Sequence, residues 1–159
     1  MAVSKRLKEF LDSNNVKYNI MTHKVAYTAQ EVAASVDVTG WHVAKTVVCN
    51  CDGKYILLVL PAPMQVDFAN LKHAVKCREM RMASEPEMEN LFPETELGAE
   101  PPFGNLYNLP VYVDKGFAEM PEIVFRAGSH TETIRMAYED YAKLVKPTVI
   151  EIGKKTAAA

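Results

Sequence analysis

The sequence predicts an α/β (α+β) fold of one domain, with a mixed, mostly antiparallel sheet surrounded by helices. Two observations carry this. Apolar runs with strand alternation are interspersed with helical segments that carry their own capping residues. The clearest pair of runs, Lys45 to Cys51 and Lys54 to Leu60, flanks Asp52-Gly53, the dipeptide preferred in a tight type I′ turn. A hairpin of that kind makes its strands antiparallel, so a purely parallel, doubly wound sheet is excluded.

The elements follow in order. Leu7, Phe10 and Leu11 recur at helical spacing and predict an amphipathic helix from Ser4 to Asn14. Val16 to Met21 reads as a short strand. Thr28-Ala-Gln-Glu31 has the form of a capping box and opens a helix that buries Val32 and Val36 and ends before Gly40. After the hairpin, Asp67 caps a helix through Val75. Ser84 and Glu87 form another capping box, for a helix ending near Phe92. Val111 to Asp114, Glu122 to Arg126 and Thr133 to Met136 read as strands, Tyr138 to Val145 as a helix, and Thr148 to Ile152 as a last strand. The Arg78-Glu-Met-Arg81 segment reads as a solvated connection, and Lys154 to Ala159 as a frayed tail.

Composition bounds the function. The chain of 159 residues is 48% hydrophobic and 24% charged, enough to bury a core, with a net charge of -2. That charge excludes coating of long duplexes by phosphate neutralisation, yet leaves room for gripping one end of a nucleic acid. Residues 1–20 are charged and amphipathic rather than leader-like, and no run is long enough to span a bilayer. Three cysteines cannot all pair within the chain, so buried thiols in a reducing, cytoplasmic compartment are expected.

Candidate chemistry centres on three places. Gly98-Ala-Glu-Pro-Pro-Phe-Gly104 sets two glycines around a rigid Pro-Pro pair, which suits a stiff loop gripping a small polar group with its backbone. Lys45 shares a strand face with Val43 and Val47, so it either snorkels at a sheet margin or points its charge into a ligand cleft. Gly128-Ser129-His130 invites a hydrolase reading. Adjacent residues in extended backbone face opposite ways, however, and no Gly-x-Ser-x-Gly elbow is present. His130 is either a ligand-facing hydrogen-bonding group or a turn histidine. Cys49 and Cys51 are spaced too tightly for the usual zinc pair, and the four histidines show no ligand spacing, so no metal or other cofactor is expected.

Six segments in this order resemble the YbaK and prolyl-tRNA-synthetase-editing-domain family of aminoacyl-tRNA deacylases. They are Tyr27-Thr-Ala-Gln-Glu-Val-Ala33, Ala44-Lys-Thr-Val-Val48, Leu58-Val-Leu-Pro-Ala62, Arg81-Met-Ala-Ser-Glu85, Gly98 to Gly104 and Gly128-Ser-His130. The resemblance runs from about residue 16 to 152 and treats 1–159 as one editing domain. It implies a barrel-like mixed sheet and hydrolysis, in trans, of the ester between a wrong amino acid and the 3′ end of a tRNA. The expected substrate is tRNA-Pro carrying Ala, Cys, Ser or Thr. Prolyl-tRNA synthetase or another synthetase is the partner that could deliver it. The strand lysine of the family is met by Lys45 and its Gly-x-x-x-Pro loop by Gly98 and Pro102, the residues assigned to catalysis. Lys45 would hold the phosphate or ribose of the terminal adenosine, while the loop backbone frames the carbonyl and the attacking water. Thr46, Pro101, Gly128, Ser129 and His130 would bind substrate.

Such editing answers a limit of recognition, because one methylene is worth only about 1–3 kcal/mol of discrimination. Two other readings compete. One is a non-catalytic module binding aminoacyl groups or acceptor ends, which substoichiometric turnover would exclude. The other is a metal-dependent esterase, which a chelator would silence.

Overall fold

The computed structural model describes residues 4–35 and 40–155. Its centre is the expected hairpin. Strand β2 (Ala44–Cys51) pairs antiparallel with β3 (Lys54–Pro61), Cys51 opposite Lys54, so that Asp52 and Gly53 alone make the turn. Both have positive φ (51° and 90°), which a type I′ turn requires and which Asp-Gly tolerates.

Before the hairpin come α1 (Lys5–Ser13), β1 (Tyr18–Thr22) and α2 (Ala29–Ser35). After it come β4 (Met64–Val66), α3 (Phe68–Ala74), β5 (Met80–Met82), α4 (Glu85–Leu91), β6 (Val111–Asp114) and α5 (Lys115–Ala118). The chain finishes with β7 (Glu122–Arg126), β8 (Glu132–Ala137), α6 (Tyr138–Val145), β9 (Thr148–Ile150) and β10 (Gly153–Lys155). The predicted caps operate. Ser84 and Glu87 close a full capping box, Asp67 accepts from the Asn70 N–H, and Thr28 Oγ1 accepts from the Glu31 N–H at 3.0 Å. The expected burial of Val36 and the run of the second helix toward Gly40 lie outside the described residues.

The strands form three sheets: β5-β2-β3-β6-β9, β1-β8-β7 and β10-β4. Pairing is mostly antiparallel, but β3-β6 and β6-β9 are parallel, as expected of a mixed sheet. The barrel-like expectation takes this form, with a bridge from Val43 to Val124 joining the two larger sheets and no closed barrel among the described residues. Two connections are corrected. Met80–Met82 is a strand on the far edge of β2 rather than a solvated linker, because its backbone finds partners at Cys49–Cys51. Lys154 and Lys155 are paired in β10 rather than frayed, while residues 156–159 lie outside the described part.

Alternation along the hairpin divides the interior. Ala44, Val48, Leu57 and Val59 face the main core, built on Phe103, Phe117, Phe125 and Tyr141. Cys49, Ile56, Leu58 and Leu60 face a smaller core with Leu71 and Ile152. A third cluster of small residues, Ala26, Ala29, Ala33, Ala62, Val43 and Val124, lies between α2 and β7. Val43 therefore ends in that cluster, and not on the face of Lys45 and Val47 where strand periodicity puts it. It precedes β2 and turns toward β7.

The cysteines also differ from expectation. Cys51 and Cys77 form a disulfide between Cα atoms 5.8 Å apart, linking the hairpin turn to the segment after α3. Only Cys49 remains a buried thiol, and burial pushes its pKa up to about 11.

Candidate active site

Lys45 leaves β2 on the side of the smaller core, where the strand nears Pro61. It is half-buried, and its Nζ donates to the carbonyl of Met64. Burial pulls its pKa below the ordinary lysine value, because removing an ammonium from water disfavours its charge. A cavity of about 290 Å³ opens beside it, lined by Thr28, Ala29, Pro63, Met64 and Gln65 among others. Thr46 is not brought to that cavity. Adjacent residues of a strand face opposite ways, and Thr46 projects with Ala44 and Val48.

The Gly98 loop and the Gly128 turn are built against each other. Gly128 N–H donates to Ala99 O at 2.9 Å, and Glu96 N–H donates to Gly128 O at 2.9 Å. Gly98 has φ +88°, a conformation that side chains with a Cβ rarely adopt. Its N–H is held by both carboxylate oxygens of Glu100, at 2.8 and 3.1 Å. Pro101 and Pro102 are buried, and the Pro102 carbonyl accepts from Tyr141 Oη at 2.6 Å, which ties the far end of the loop to the main core. Gly128, at φ +100°, sits where a side chain would be strained, and a Cβ there would crowd Ser4 Cβ at 3.0 Å.

His130 is buried between these parts. Its Nε2 lies 2.8 Å from Leu97 O and its Nδ1 3.2 Å from Ala26 O. Both ring nitrogens face backbone carbonyls, so in this position the ring braces the loop. The Tyr27 ring covers it at 4.9 Å between centroids. Ser129 has no exposed surface, and its Oγ is 3.3 Å from both Thr131 N–H and Thr131 Oγ1. The structure thus brings Gly98, Gly128 and His130 together. The segment 26–29 joins them to Lys45: Ala26 and Tyr27 contact His130, and Thr28 and Ala29 line the lysine's cavity.

Two residues of this region went unread in the sequence. Glu100 is buried and grips Gly98. Burial raises its pKa, opposed by the Gly98 N–H bonds and by the charges of Arg126 and His130. Arg126 is buried and donates to the Tyr27 carbonyl at 2.7 Å. The signal for Arg126 was present, a cation ending the apolar run Ile123-Val-Phe, of the same kind that singled out Lys45. A larger cavity of about 710 Å³ lies elsewhere, lined by Asp12, Tyr18, Glu122 and Arg135 among others. Arg135 there pairs with Glu122 at 2.5 Å and Tyr18 with Asp12 at 2.6 Å, and no site candidate lines it.

Cys51, Asp52 and Cys77 offer ligand atoms within 4.8 Å of one another. The two sulfurs are bonded to each other, however, and the Asp52 carboxylate accepts from the Arg78 and Glu79 N–H groups. No helix among the described residues is long and apolar enough to cross a membrane.

The chain is similar to known proteins over most of its length. Over 154 residues the chain is 25% identical to the Multifunctional Ser/Thr-tRNA deacylase ProXp-y of Escherichia coli strain K12, covering 94% of this chain and 92% of that protein. A solved structure described as a candidate trans-editing enzyme for prolyl tRNA synthetase superposes with TM-score 0.81 at 20% identity, covering 95% of this chain and 96% of that one. The protein APE2540 superposes with TM-score 0.84 at 16% identity, covering 94% and 100%. At those identities the two structures establish the fold alone. The model of the aminoacyl-tRNA editing domain matches residues 23–144, a span holding Lys45, the Gly98 loop and His130, and the chain belongs to that family.

Proposed function

We propose that this protein is a trans-editing deacylase that hydrolyses the ester of a mischarged tRNA. The carrying observation is the half-buried Lys45 ammonium, joined through residues 26–29 to the Gly98–His130 wall, inside the editing-domain match. A compact cation in a small cavity suits the phosphate or ribose of a terminal adenosine. The loop of Gly98, Pro101 and Pro102 would shape the space for the acyl group and water. The ester is already activated, so positioning of water and stabilisation of the oxyanion suffice. This fits a site in which Ser129 is buried and tied to Thr131 and offers no nucleophile. The substrate's own 2′-hydroxyl or side chain would assist the proton transfer. Serine and threonine are the acyl groups to try first, a choice supported by the name of the Ser/Thr-tRNA deacylase among the relatives, followed by alanine and cysteine, with tRNA-Pro as the first tRNA.

One observation favours a binding module without turnover: the Gly98 N–H is already held by Glu100, and both His130 nitrogens face backbone carbonyls of the chain itself. A deacylation panel separates the two readings. tRNA-Pro charged with Ala, Cys, Ser or Thr, and other tRNAs charged with Ser or Thr, are incubated with substoichiometric protein. Many turnovers on one or more substrates support the deacylase. Binding without turnover across the panel leaves the module.

A further inference from the structure

The positive charge of Arg126 is placed where a fold would ordinarily put an apolar residue. On β7, Ile123 and Phe125 face the main core, as does Ala127 just beyond the strand, and Val124 faces the small-residue cluster beside α2. Arg126 follows Val124 on that second face. It is 8% exposed, and burial pulls its pKa below the ordinary arginine value, an effect opposed first by Glu100 and then by Glu31. A buried guanidinium is tolerated only where hydrogen bonds and counter-charge compensate its lost hydration. Here the hydrogen bond goes to the Tyr27 carbonyl, and the larger of the two opposing carboxylate influences comes from Glu100, itself 6% exposed and holding the Gly98 N–H.

These contacts span both halves of the site. Tyr27 lies on His130, and the next two residues, Thr28 and Ala29, wall the cavity of Lys45. Glu100 sets the backbone at Gly98, whose missing Cβ would stand 3.5 Å from the His130 ring. We propose that Arg126 is a positioning residue: with Glu100 as its buried counter-charge, it locks the Tyr27 segment onto His130 and so keeps the lysine cavity and the Gly98 loop in register. This rests on the deacylase reading for its effect on rate, but not for its effect on geometry. Arg126 acts through Tyr27 and Glu100 and need not touch substrate.

The test uses the full chain and the variants Arg126→Gln, Arg126→Lys, Glu100→Gln and the Arg126→Gln/Glu100→Gln pair. Two quantities are read: kcat/KM on the best mischarged tRNA, and the NMR resonances of the His130 ring, assigned against His130→Gln, which the Tyr27 ring current shifts at their present separation. Arg126→Gln is expected to displace those resonances and to lower kcat/KM about tenfold or more. The double variant is expected to be no worse than the poorer single, to within about twofold, because the two groups serve one interaction. Unmoved His130 resonances in Arg126→Gln overturn the positioning role whatever the rate. Losses that multiply in the double variant overturn Glu100 as the partner. Removing one member of a buried pair can prevent folding. If Arg126→Gln does not fold, Arg126→Lys and Glu100→Gln decide by the same His130 resonances. If the parent protein deacylates nothing, the deacylase reading fails by itself, and the resonances alone judge Arg126.

Discussion

Replacing Lys45 by alanine removes two things of different size. In the free protein the ammonium makes one half-buried hydrogen bond, to the Met64 carbonyl, so its loss costs about 1 kcal/mol of stability. For a chain of this size that lowers the melting midpoint by roughly 2–4 °C. In the complex the same ammonium would hold a phosphate or ribose oxygen, and a charge-assisted contact is worth about 1.5–3 kcal/mol. The expected loss in kcat/KM is therefore about ten- to a hundredfold, in a protein that still folds. Single-turnover and steady-state deacylation on the best substrate, with the spontaneous hydrolysis subtracted, measure it. The pH dependence supplies a second readout. Because burial lowers the Lys45 pKa, the enzymatic rate should fall as pH rises through a value below the ordinary lysine range. Stability runs the other way. The folded protein releases this proton before the unfolded chain does, so Lys45's contribution to stability rises with pH between the two pKa values. Lys45→Ala should abolish both trends. Near-parental kcat/KM in Lys45→Ala, with the alkaline fall intact, would refute the role.

The remaining predictions concern the loop, the thiols and salt. Gly98→Ala should cut turnover strongly, because φ +88° strains a residue with a Cβ by about 1–2 kcal/mol while the 3.5 Å approach to His130 is ordinary contact. Ser129→Ala should leave the rate nearly unchanged and cost about 1 kcal/mol, as Thr131 N–H loses its acceptor; a covalent aminoacyl adduct on Ser129 would reverse that assignment. Reducing Cys51–Cys77, which closes a separation of 26 residues, should cost about 3 kcal/mol. That corresponds to roughly 6–12 °C in midpoint. Three titratable thiols in the unfolded, oxidised protein, instead of Cys49 alone, would exclude the bond. The log–log salt slope of kcat/KM should match about one to three phosphates at -0.7 each, and a short acceptor-stem mimic should be hydrolysed. A steep slope with an inert mimic would mean broad contacts along the tRNA body.

What the sequence made legible was local. Asp52-Gly53, the Ser84–Glu87 box and the Asp67 cap each state their conformation within four residues, and each is found as read. Lys45 stood out because a charge in an apolar strand needs a reason. The strands Met80–Met82 and Gly153–Lys155 were hidden, since they acquire strand geometry only from partners far along the chain. The buried charges were hidden for the same cause. Asp114 looks like the end of a strand, yet its carboxylate accepts from the Gly116, Ile152 and Gly153 N–H groups at 2.7–2.9 Å. Thr46 lies on the strand face opposite Lys45, as alternation along the sequence already indicates. The closeness of Cys77 to Cys51 likewise depends on how α3 returns the chain to the hairpin turn.

The short ladder of β10 on β4 has a practical consequence. Lys155 is paired with Met64, the residue whose carbonyl receives the Lys45 ammonium, and Gly153 is anchored by Asp114. A segment remote in sequence from Lys45 thus acts as the splint behind its acceptor. Trimming the chain before Gly153 would remove no residue of the candidate site, yet it would release the backbone that aims Lys45. An affinity tag fused close behind Lys155 would pull on the same splint, so a weak enzyme made in that way would report on the handle and not on the chemistry.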